Sequence, residues 1–487
     1  MLPDQEQLPL LAALVRHCRT NPARLHVPAH RQGRAVPAAL TDLAEKNIFR
    51  FDLTELPGLD DLHHPQGAIA AAQQLAAALY GAGRTFFLVN GTTCGLQALL
   101  LALCRPGEEI LLPRNVHRSV LGGLVLSGAR PVYLPPVVIK DFGLAAGVRE
   151  DTLAAALARH PRARGYLAVY PTYYGLAPDL TGPAAVLHRL DKPLLVDEAH
   201  GAHLPFHPAL PPPALAQGAD ASVQSVHKLG GSLTQSSWLH LGGARPDPAR
   251  VAAALRLLQT SSPSYILLAS LDAARRQLAL DGRRLLERAL TLARDLRREL
   301  ARIPGLAVLD EEHLAGAGAA AARLDPTRVV ISVHGLGLTG YQAARLLAEK
   351  HRVMVEMADY RHLVAVTGLG TTAEDCRALV RALREISRRD AAADRSRSVC
   401  PGPPDAPPVR LTPRQAWFAP ARPVPLEQAA GLVAAETVAV YPPGIPALCP
   451  GEEITPEIIE YLSIVRRHGL PVQGPADGTL QTLRVVS

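Results

Sequence analysis

The chain has 487 residues, of which 48% are hydrophobic, 20% are charged and 4% are aromatic. This length and composition predict a soluble globular protein of two or three domains with an ample core. The formal net charge is +7. The basic residues nevertheless mix with acids on helical stretches such as 280–303, which indicates a solvated helix face. With so few aromatics, no base-stacking platform for nucleic acid is expected.

Three further features indicate a cytoplasmic protein. Charges or prolines interrupt every apolar run before 18 residues, so no transmembrane helix is predicted. The N-terminus, MLPDQEQLPLLAALVRHCRT, carries two early acids and does not resemble a signal peptide. The six cysteines lack CxxC pairing, which in a chain of this length predicts a reducing compartment and neither a disulfide framework nor a metal site. We therefore expect binding to neither nucleic acid nor a membrane.

The chain divides by composition into five segments. Residues 1–65 predict an N-terminal helical arm, and residues 66–260 alternate short apolar strands, polar turns and helices. That alternation is typical of a parallel α/β sheet, which binds ligands beyond the carboxyl ends of its strands. Residues 261–390 begin with a long charged helix and continue as β-α-β-β-α, which predicts a small α+β domain. Residues 391–410 have the Pro-rich composition of a linker, and residues 411–487 form a C-terminal domain.

The first chemical motif is LVNGTTCGLQALL, in which an apolar strand ends at Asn90 and Gly91-Thr92-Thr93 opens a helix. Glycine permits a sharp turn, and hydroxyls with free N–H groups at a helix N-terminus suit a phosphate. Taken alone, the pattern is more typical of an ordinary Thr-capped helix.

The next two motifs each follow a predicted strand. His117 in RNVHRSV precedes a helix, where a histidine is usually structural. In LLVDEAHGAH, the strand ends in Asp197-Glu198-Ala199-His200. The carboxylates and histidines there could suggest a metal site, but a buried aspartate at a strand end also pairs with a cationic ring nitrogen. A helix cap or a polar loop remains open for these residues.

The fourth motif is QSVHKLGGSLTQ, where Lys228 has no acidic neighbour in sequence. A lone lysine in a loop is usually solvated. Lys228 nevertheless follows, in order, a candidate phosphate-binding turn, a candidate ring-stacking residue and an aspartate at a strand end. This order fits a site for pyridoxal phosphate. An amine forms a Schiff base best when partial desolvation lowers its pKa, which explains a lysine without an acidic partner. Asp197 would keep the pyridine nitrogen protonated.

Seven motifs follow one another along nearly the whole chain: FDLTELPGLDDLHHPQG, FFLVNGTTCG, RNVHRSV, YPTYYG, LLVDEAHGAH, QSVHKLGGSLTQ and YPPGIPALCPGEEIT. In this order they resemble the Orn/Lys/Arg decarboxylases of the fold-type I pyridoxal-phosphate class, in the short form without an N-terminal wing. The resemblance implies an aspartate-aminotransferase-like large domain with a mostly parallel sheet. It also implies a small α+β domain and a C-terminal α+β domain.

The resemblance also implies roles for individual residues. Lys228 would carry the Schiff base, Asp197 would pair with the pyridine nitrogen, and His200 would lie near it. His117 would stack on the ring, and Thr172 in YPTYYG would contact the ring or its phenolic oxygen. The phosphate would be held at the turn and beside the lysine, by Gly91, Thr92, Thr93, Ser225 and His227.

The implied activity is decarboxylation of a basic amino acid, with arginine giving agmatine ahead of lysine giving cadaverine, and ornithine third. An acid must bind the cationic end of the substrate, and the candidates are Glu356, Asp359, Glu452 and Glu453, each of which also fits a cap or a surface acid. An aminotransferase on the same fold and a non-catalytic binding protein remain as alternatives. Enzymes of this fold build their active sites at a dimer interface, so at least a homodimer is expected, serving polyamine biosynthesis.

Overall fold

The computed structural model describes residues 3–20, 24, 26–41, 47–389, 404–441 and 444–487. The helices are α1 (Pro9–Thr20), α2 (Ala38–Thr41), α3 (Asn47–Arg50), α4 (Ala68–Tyr80), α5 (Gly91–Leu103), α6 (Arg118–Ser127), α7 (Glu150–Arg159), α8 (Thr181–Arg189), α9 (Val226–Leu229), α10 (Pro248–Leu258), α11 (Tyr265–Leu300), α12 (Gly340–His351), α13 (Ala373–Arg389), α14 (Pro413–Phe418) and α15 (Pro456–Arg467). The strands are β1 (Arg84–Leu88), β2 (Glu109–Pro113), β3 (Arg130–Leu134), β4 (Val138–Ile139), β5 (Leu144–Ala145), β6 (Tyr166–Val169), β7 (Leu176–Ala177), β8 (Leu194–Asp197), β9 (Ala221–Gln224), β10 (Ser237–Leu241), β11 (Ala307–Val308), β12 (Arg323–Leu324), β13 (Arg328–Ser332), β14 (Met357–Ala358), β15 (His362–Val366), β16 (Ala421–Pro425), β17 (Val438–Val440), β18 (Ile445–Leu448), β19 (Val472–Gln473) and β20 (Thr482–Val486).

The chain forms two compact units. Unit 1 comprises Met1–Ala102, Leu195–Pro208 and Pro212–Arg284, and unit 2 comprises Leu103–Leu194, Ala209–Pro211 and Leu285–Ser487. The linker predicted over 391–410 lies mostly outside the described residues, which omit 390–403. Within the described parts of the chain, no helix combines the length and the apolar character that crossing a bilayer requires.

Unit 1 contains four adjacent strands in the order β1-β10-β9-β8. Strands β1 and β10 are antiparallel, as are β10 and β9, whereas β9 and β8 run parallel, with Asp197 opposite Val223. Every residue of β8, β9 and β10 is buried, including the polar Gln224 and His240, so these strands are covered on both faces. Because β8 and β9 are parallel, their carboxyl ends meet at one edge, which carries Asp197 and Ser225.

A buried arginine holds the N-terminal arm of unit 1. Arg275 on α11 is inaccessible to solvent and pairs with Asp272 at 2.8 Å. Its guanidinium also donates to the carbonyl of Gln5 at 2.6 Å, and Asp272 accepts the N–H of Leu10 at 3.1 Å. A buried ion pair is stabilised by further hydrogen bonds, and here the N-terminal backbone supplies them to Asp272 and to the terminal nitrogens of Arg275, whereas Arg275 Nε is buried without a partner among the described residues.

Unit 2 contains two groups of strands and a C-terminal core. Strands β6, β2 and β3 are parallel neighbours in that order. Strands β11, β13, β15 and β14 form an antiparallel sheet, and α12 contacts β15 and α13. From β13 onward the elements run β-α-β-β-α, as the sequence pattern predicts. The C-terminal part packs α15 over its own apolar core, which includes Leu448, Ile458 and Leu462.

Candidate active site

Three hydroxyl groups converge in unit 1 where α5 begins. Thr92 Oγ1 lies 2.5 Å from Ser225 Oγ and 3.0 Å from Ser237 Oγ, and all three residues are buried. Gly91 opens the helix with a φ of +75°, a conformation that favours glycine. The neighbouring Thr93 is exposed. The predicted Thr92 and Ser225 therefore lie together, and Ser237 is a partner that the sequence did not indicate.

Lys228 and His200 are in direct contact. Lys228 lies on the one-turn helix α9 after β9, His200 lies in the turn after β8, and their Nζ and Nε2 atoms are 2.9 Å apart. Lys228 is exposed, whereas His200 is buried. An ammonium group can only donate, so His200 Nε2 must be unprotonated whenever Lys228 is charged. This pair can therefore exchange a proton.

Asp197 and His227 are close to this pair in sequence and also lie in unit 1. Asp197 is 5% exposed at the end of β8, and its Oδ1 accepts the N–H of Ala199 at 3.2 Å. His227 Nδ1 lies 3.0 Å from the carbonyl of Ser236. The parallel β8 and β9 thus end in a buried carboxylate, a histidine and an amine, as the sequence order indicates.

Two predicted residues of unit 2 stabilise their own turns. His117 is exposed at the N-cap of α6, where its Nδ1 accepts the N–H of Ser119 at 3.2 Å. Thr172 is buried, and its hydroxyl accepts the N–H of Leu176 at 3.2 Å. His117 therefore acts as the cap of α6 in this structure, and its ring-stacking role stays a prediction.

Adjacent tyrosines in YPTYYG reach the acids of VEMADY, both in unit 2. Tyr173 donates to Glu356 Oε1 at 3.0 Å, and Tyr174 donates to Asp359 Oδ2 at 2.6 Å. His362 Nδ1 lies 3.0 Å from both oxygens of Asp359. Burial alone would raise the pKa of Asp359, but hydrogen bonds from His362 and Tyr174 outweigh it and hold that pKa below the ordinary value. Glu356 keeps an exposed carboxylate, whereas that of Asp359 is engaged.

The two remaining acids of unit 2 are both paired. Glu452 is 1% exposed and forms a two-point ion pair with Arg114, and it also accepts the N–H of Cys449 at 2.7 Å. Glu453 pairs with Arg410 at 2.6 Å near the surface. Arg114 lies three positions before His117 in RNVHRSV. The motif therefore includes this arginine, but the sequence does not indicate that its charge is buried.

Comparison with known proteins adds a family to this geometry. A family model described as Orn/Lys/Arg decarboxylase, major domain, matches residues 8–375, and one for the C-terminal domain of the same family matches residues 405–473. The chain is 41% identical to an arginine decarboxylase of Bacillus anthracis, over 99% of this chain and 98% of that protein. It is also 41% identical to an arginine decarboxylase of Bacillus subtilis, with the same coverage.

Solved structures confirm the predicted fold class. The chain superposes on lysine decarboxylase A from Pseudomonas aeruginosa with a TM-score of 0.84 at 24% identity, covering 99% of this chain and 81% of that one. Three strand pairings, β8–β9, β2–β3 and β2–β6, are parallel, as a mostly parallel sheet requires. The architecture is therefore that of fold-type I pyridoxal-phosphate enzymes, and the resemblance seen in the motifs is confirmed.

Proposed function

The chain belongs to the Orn/Lys/Arg decarboxylase family, and from that premise we propose that it converts arginine to agmatine and carbon dioxide with pyridoxal phosphate as its cofactor. As a member of this family the chain is an amino acid decarboxylase. The observation that carries the choice of arginine is the 41% identity, over 99% of the chain, to proteins named arginine decarboxylase. Agmatine is a polyamine precursor, so polyamine biosynthesis is the proposed context.

The residues of unit 1 fit the proposed cofactor chemically. A phosphate needs several donors without a competing negative charge, and Thr92, Ser225 and Ser237 supply clustered hydroxyls beside the N-terminus of α5. A pyridinium nitrogen needs a buried anion, which Asp197 supplies. An aldehyde carbon needs an amine, which Lys228 supplies.

We propose that five further residues contact the cofactor. Gly91 and Thr93 would present backbone and hydroxyl donors to the phosphate, together with His227. His117 would stack on the ring and Thr172 would approach its edge. When bound, the cofactor supplies an electron sink for the pair of electrons left by the departing carboxylate.

The chain's own residues control protons and orientation. Asp197, as a buried carboxylate, favours a protonated ring nitrogen because opposite charges attract strongly in a poorly solvated environment. His200, at 2.9 Å from Lys228, accepts a proton from its Nζ and can return it. Lys228, or a nearby histidine, would then donate the proton that replaces the carboxylate on the substrate's α-carbon.

Glu356 is the acid we propose for the cationic end of the substrate. Its carboxylate is exposed and is oriented by the hydroxyl of Tyr173 at 3.0 Å. Asp359 is held by Tyr174 and His362, and Glu452 is held by Arg114, so both carboxylates are already engaged. Glu453 pairs with Arg410. We therefore propose structural roles for these three acids.

Domain boundaries and assembly are also proposals. We propose an arm over 1–65, a cofactor-binding domain over 66–260, a small domain over 261–390, a linker over 391–410 and a C-terminal domain over 411–487. A homodimer in the cytoplasm is proposed because enzymes of this fold build their active sites between two copies.

The decisive experiment supplies arginine, lysine and ornithine separately to the purified protein with pyridoxal phosphate and measures amine and carbon dioxide. We expect agmatine and carbon dioxide in equal amounts from arginine, and slower turnover of the other two. A keto acid with amino transfer would instead indicate an aminotransferase, and cadaverine as the main product would reassign the substrate.

The matched lysine variants test the covalent link. Lys228→Ala should remove both the absorbance near the edge of the visible range and the turnover, whereas Lys140→Ala, at an exposed position, should keep both. A wild-type protein that shows no such band with added cofactor would indicate a non-catalytic binding protein.

A further inference from the structure

Four buried polar side chains form a hydrogen-bond chain across the sheet of unit 1. Thr85 on β1, His240 on β10, Gln224 on β9 and Glu198 just after β8 are each 2% exposed or less. Thr85 Oγ1 lies 2.7 Å from His240 Nδ1, His240 Nε2 lies 3.2 Å from Gln224 Oε1, and Gln224 Nε2 lies 2.9 Å from Glu198 Oε2. Their spatial order is the order of the strands. Burying a polar group lowers the stability of the fold unless the group is hydrogen-bonded, so this hydrogen-bond chain requires an explanation.

We propose that all bonds of this hydrogen-bond chain run in one direction, from Thr85 to Glu198. We further propose that they make Glu198 a positioning residue for the turn that presents Asp197 and His200. An ionised carboxylate can only accept, so the Gln224 amide nitrogen donates to Glu198 and its oxygen faces His240. His240 must then donate from Nε2 and accept at Nδ1 from the hydroxyl of Thr85. Burial lowers the pKa of His240 to about 3, so the ring is neutral and has one N–H to give.

The turn is fixed from its buried side. The other oxygen of Glu198, Oε1, accepts the N–H of Ala214 at 2.8 Å, and the N–H of Gly201 donates to the Glu198 carbonyl at 2.8 Å. A Cβ at Gly201 would lie only 2.5 Å from Glu198 Cγ, so the turn closes tightly around this side chain. Tyr80 adds a second anchor, because it stacks on His240 with centroids 4.6 Å apart and donates to the Ala202 carbonyl at 2.6 Å.

The functional residues lie beside this anchor. Successive side chains at a strand end point to opposite faces, so fixing Glu198 on one face sets the rotation that presents Asp197 on the other. His200 follows within the same turn and contacts Lys228 at 2.9 Å. A carboxylate at position 198 thus sets the geometry of two groups that the proposed function assigns to the cofactor. This step rests on the proposed function, whereas the direction of the hydrogen-bond chain does not.

A charge swap tests the direction. Glu198→Gln places an amide donor against the donor of Gln224, and Gln224→Glu places two carboxylates side by side, so each single variant leaves a buried group unsatisfied. The double variant E198Q/Q224E restores one carboxylate and one amide. In the double variant, the new carboxylate accepts from His240 Nε2 and from the new amide, whose oxygen still accepts from Ala214. Every bond of the hydrogen-bond chain is then made, and His240 keeps the same tautomer.

Two readouts separate the parts of the proposal, both at about pH 8.5, where the carboxylate of Glu198 is ionised although burial raises its pKa to about 7. The first is the Tm of the cofactor-free protein. We expect both single variants to lower Tm and the double variant to recover most of the loss. The control is the double variant E198Q/Q259E, in which the second change is at a buried glutamine that is not part of the hydrogen-bond chain. The two changes should lower Tm additively. Additive losses in E198Q/Q224E would overturn the proposed direction.

The second readout is the dissociation constant for pyridoxal phosphate from a spectroscopic titration. E198Q should raise it about tenfold, the size of one lost hydrogen bond to a charged group, and the double variant should return it to about the wild-type value. Recovery of Tm with no change of affinity in any variant would overturn the positioning role. A wild-type protein that does not bind the cofactor would defeat the proposed function, while the Tm comparison would still decide the hydrogen-bond direction.

Discussion

The guanidinium of Arg114 and the carboxylate of Glu452 form a buried two-point ion pair, although 338 positions separate them in sequence. Arg114 also donates to the Ala447 carbonyl at 2.9 Å and lies over the ring of Tyr133 at 4.7 Å. The pair ties the loop that leads to His117 to the C-terminal motif PGEEIT. Both groups are thereby satisfied without a ligand.

Breaking this pair should destabilise the protein strongly. Glu452→Gln leaves the Arg114 guanidinium buried without its counter-charge, which costs about 3–5 kcal/mol. We expect a matching fall in the free energy of unfolding, measured by urea denaturation. The control Glu453→Gln removes a partly exposed pair with Arg410 and should cost less than about 1 kcal/mol. Equal losses in the two variants would contradict the structural role of Glu452.

The two acids of VEMADY should separate into a substrate ligand and a structural group. Glu356→Gln removes the charge that we propose to bind the guanidinium of arginine, so KM should rise about tenfold or more with little change in Tm. Glu453→Gln serves as the control for loss of a surface carboxylate and should leave KM unchanged. An unchanged KM in Glu356→Gln would remove this residue from the substrate site.

Asp359 should stabilise unit 2 in a pH-dependent way. The pKa of Asp359 in the folded protein is lower than its ordinary value of 3.8, so its contribution is complete above 3.8 and is lost as the pH falls through the folded pKa. The Tm deficit of Asp359→Asn relative to wild type should therefore be full at neutral pH and shrink below 3.8. Tyr174→Phe removes one donor to an ionised carboxylate and should cost about 1.5–3 kcal/mol at neutral pH. A deficit in Asp359→Asn that is constant over the whole pH range would contradict this assignment.

Local sequence patterns predicted the edge of unit 1 well. The strand ending at Asp197, the glycine turn at Gly91 and the parallel α/β pattern follow from strand periodicity and turn chemistry, which depend on neighbours in sequence. The fold-type I class followed from the resemblance of the ordered motifs to a family. Lys228 and His200 were both indicated, and their contact follows from the parallel pairing of β8 and β9.

Distant pairings could not be predicted in the same way. Nothing near Arg114 indicates Glu452, because the partner depends on how the C-terminal part folds back. Ser237 likewise joins Thr92 only through the register of β10 against β1. Glu198 was visible beside Asp197, but its function depends on Gln224 and the strands beyond it. A single sequence shows which side chains are polar and leaves open which of them are satisfied by the fold.

The motif FDLTELPGLDDLHHPQG has a structural explanation in Asp60, which leads to a last prediction. Helix α4 begins after Gly67, which offers no side-chain cap. Asp60 supplies that cap from seven positions earlier, since its Oδ2 accepts the N–H groups of Gly67 at 2.8 Å, Ile69 at 2.9 Å and Ala70 at 3.2 Å. Burial alone would raise the pKa of Asp60, but hydrogen bonds from the backbone N–H groups of Gln66, Asp61, Gly67 and Ala70 outweigh it and lower that pKa.

Replacing this cap should cost stability in proportion to the donors released. Asp60→Ala leaves the N–H groups at the start of α4 without their acceptor, and we expect a loss of about 1–2 kcal/mol in the free energy of unfolding. The exposed Asp141→Ala is the matched control and should change it by no more than about 0.5 kcal/mol. Hydrogen exchange should locate the effect, because the amides of Ile69 and Ala70 should lose protection first. Unchanged protection at these amides would show that water replaces the carboxylate at no cost, and the motif would then need another explanation.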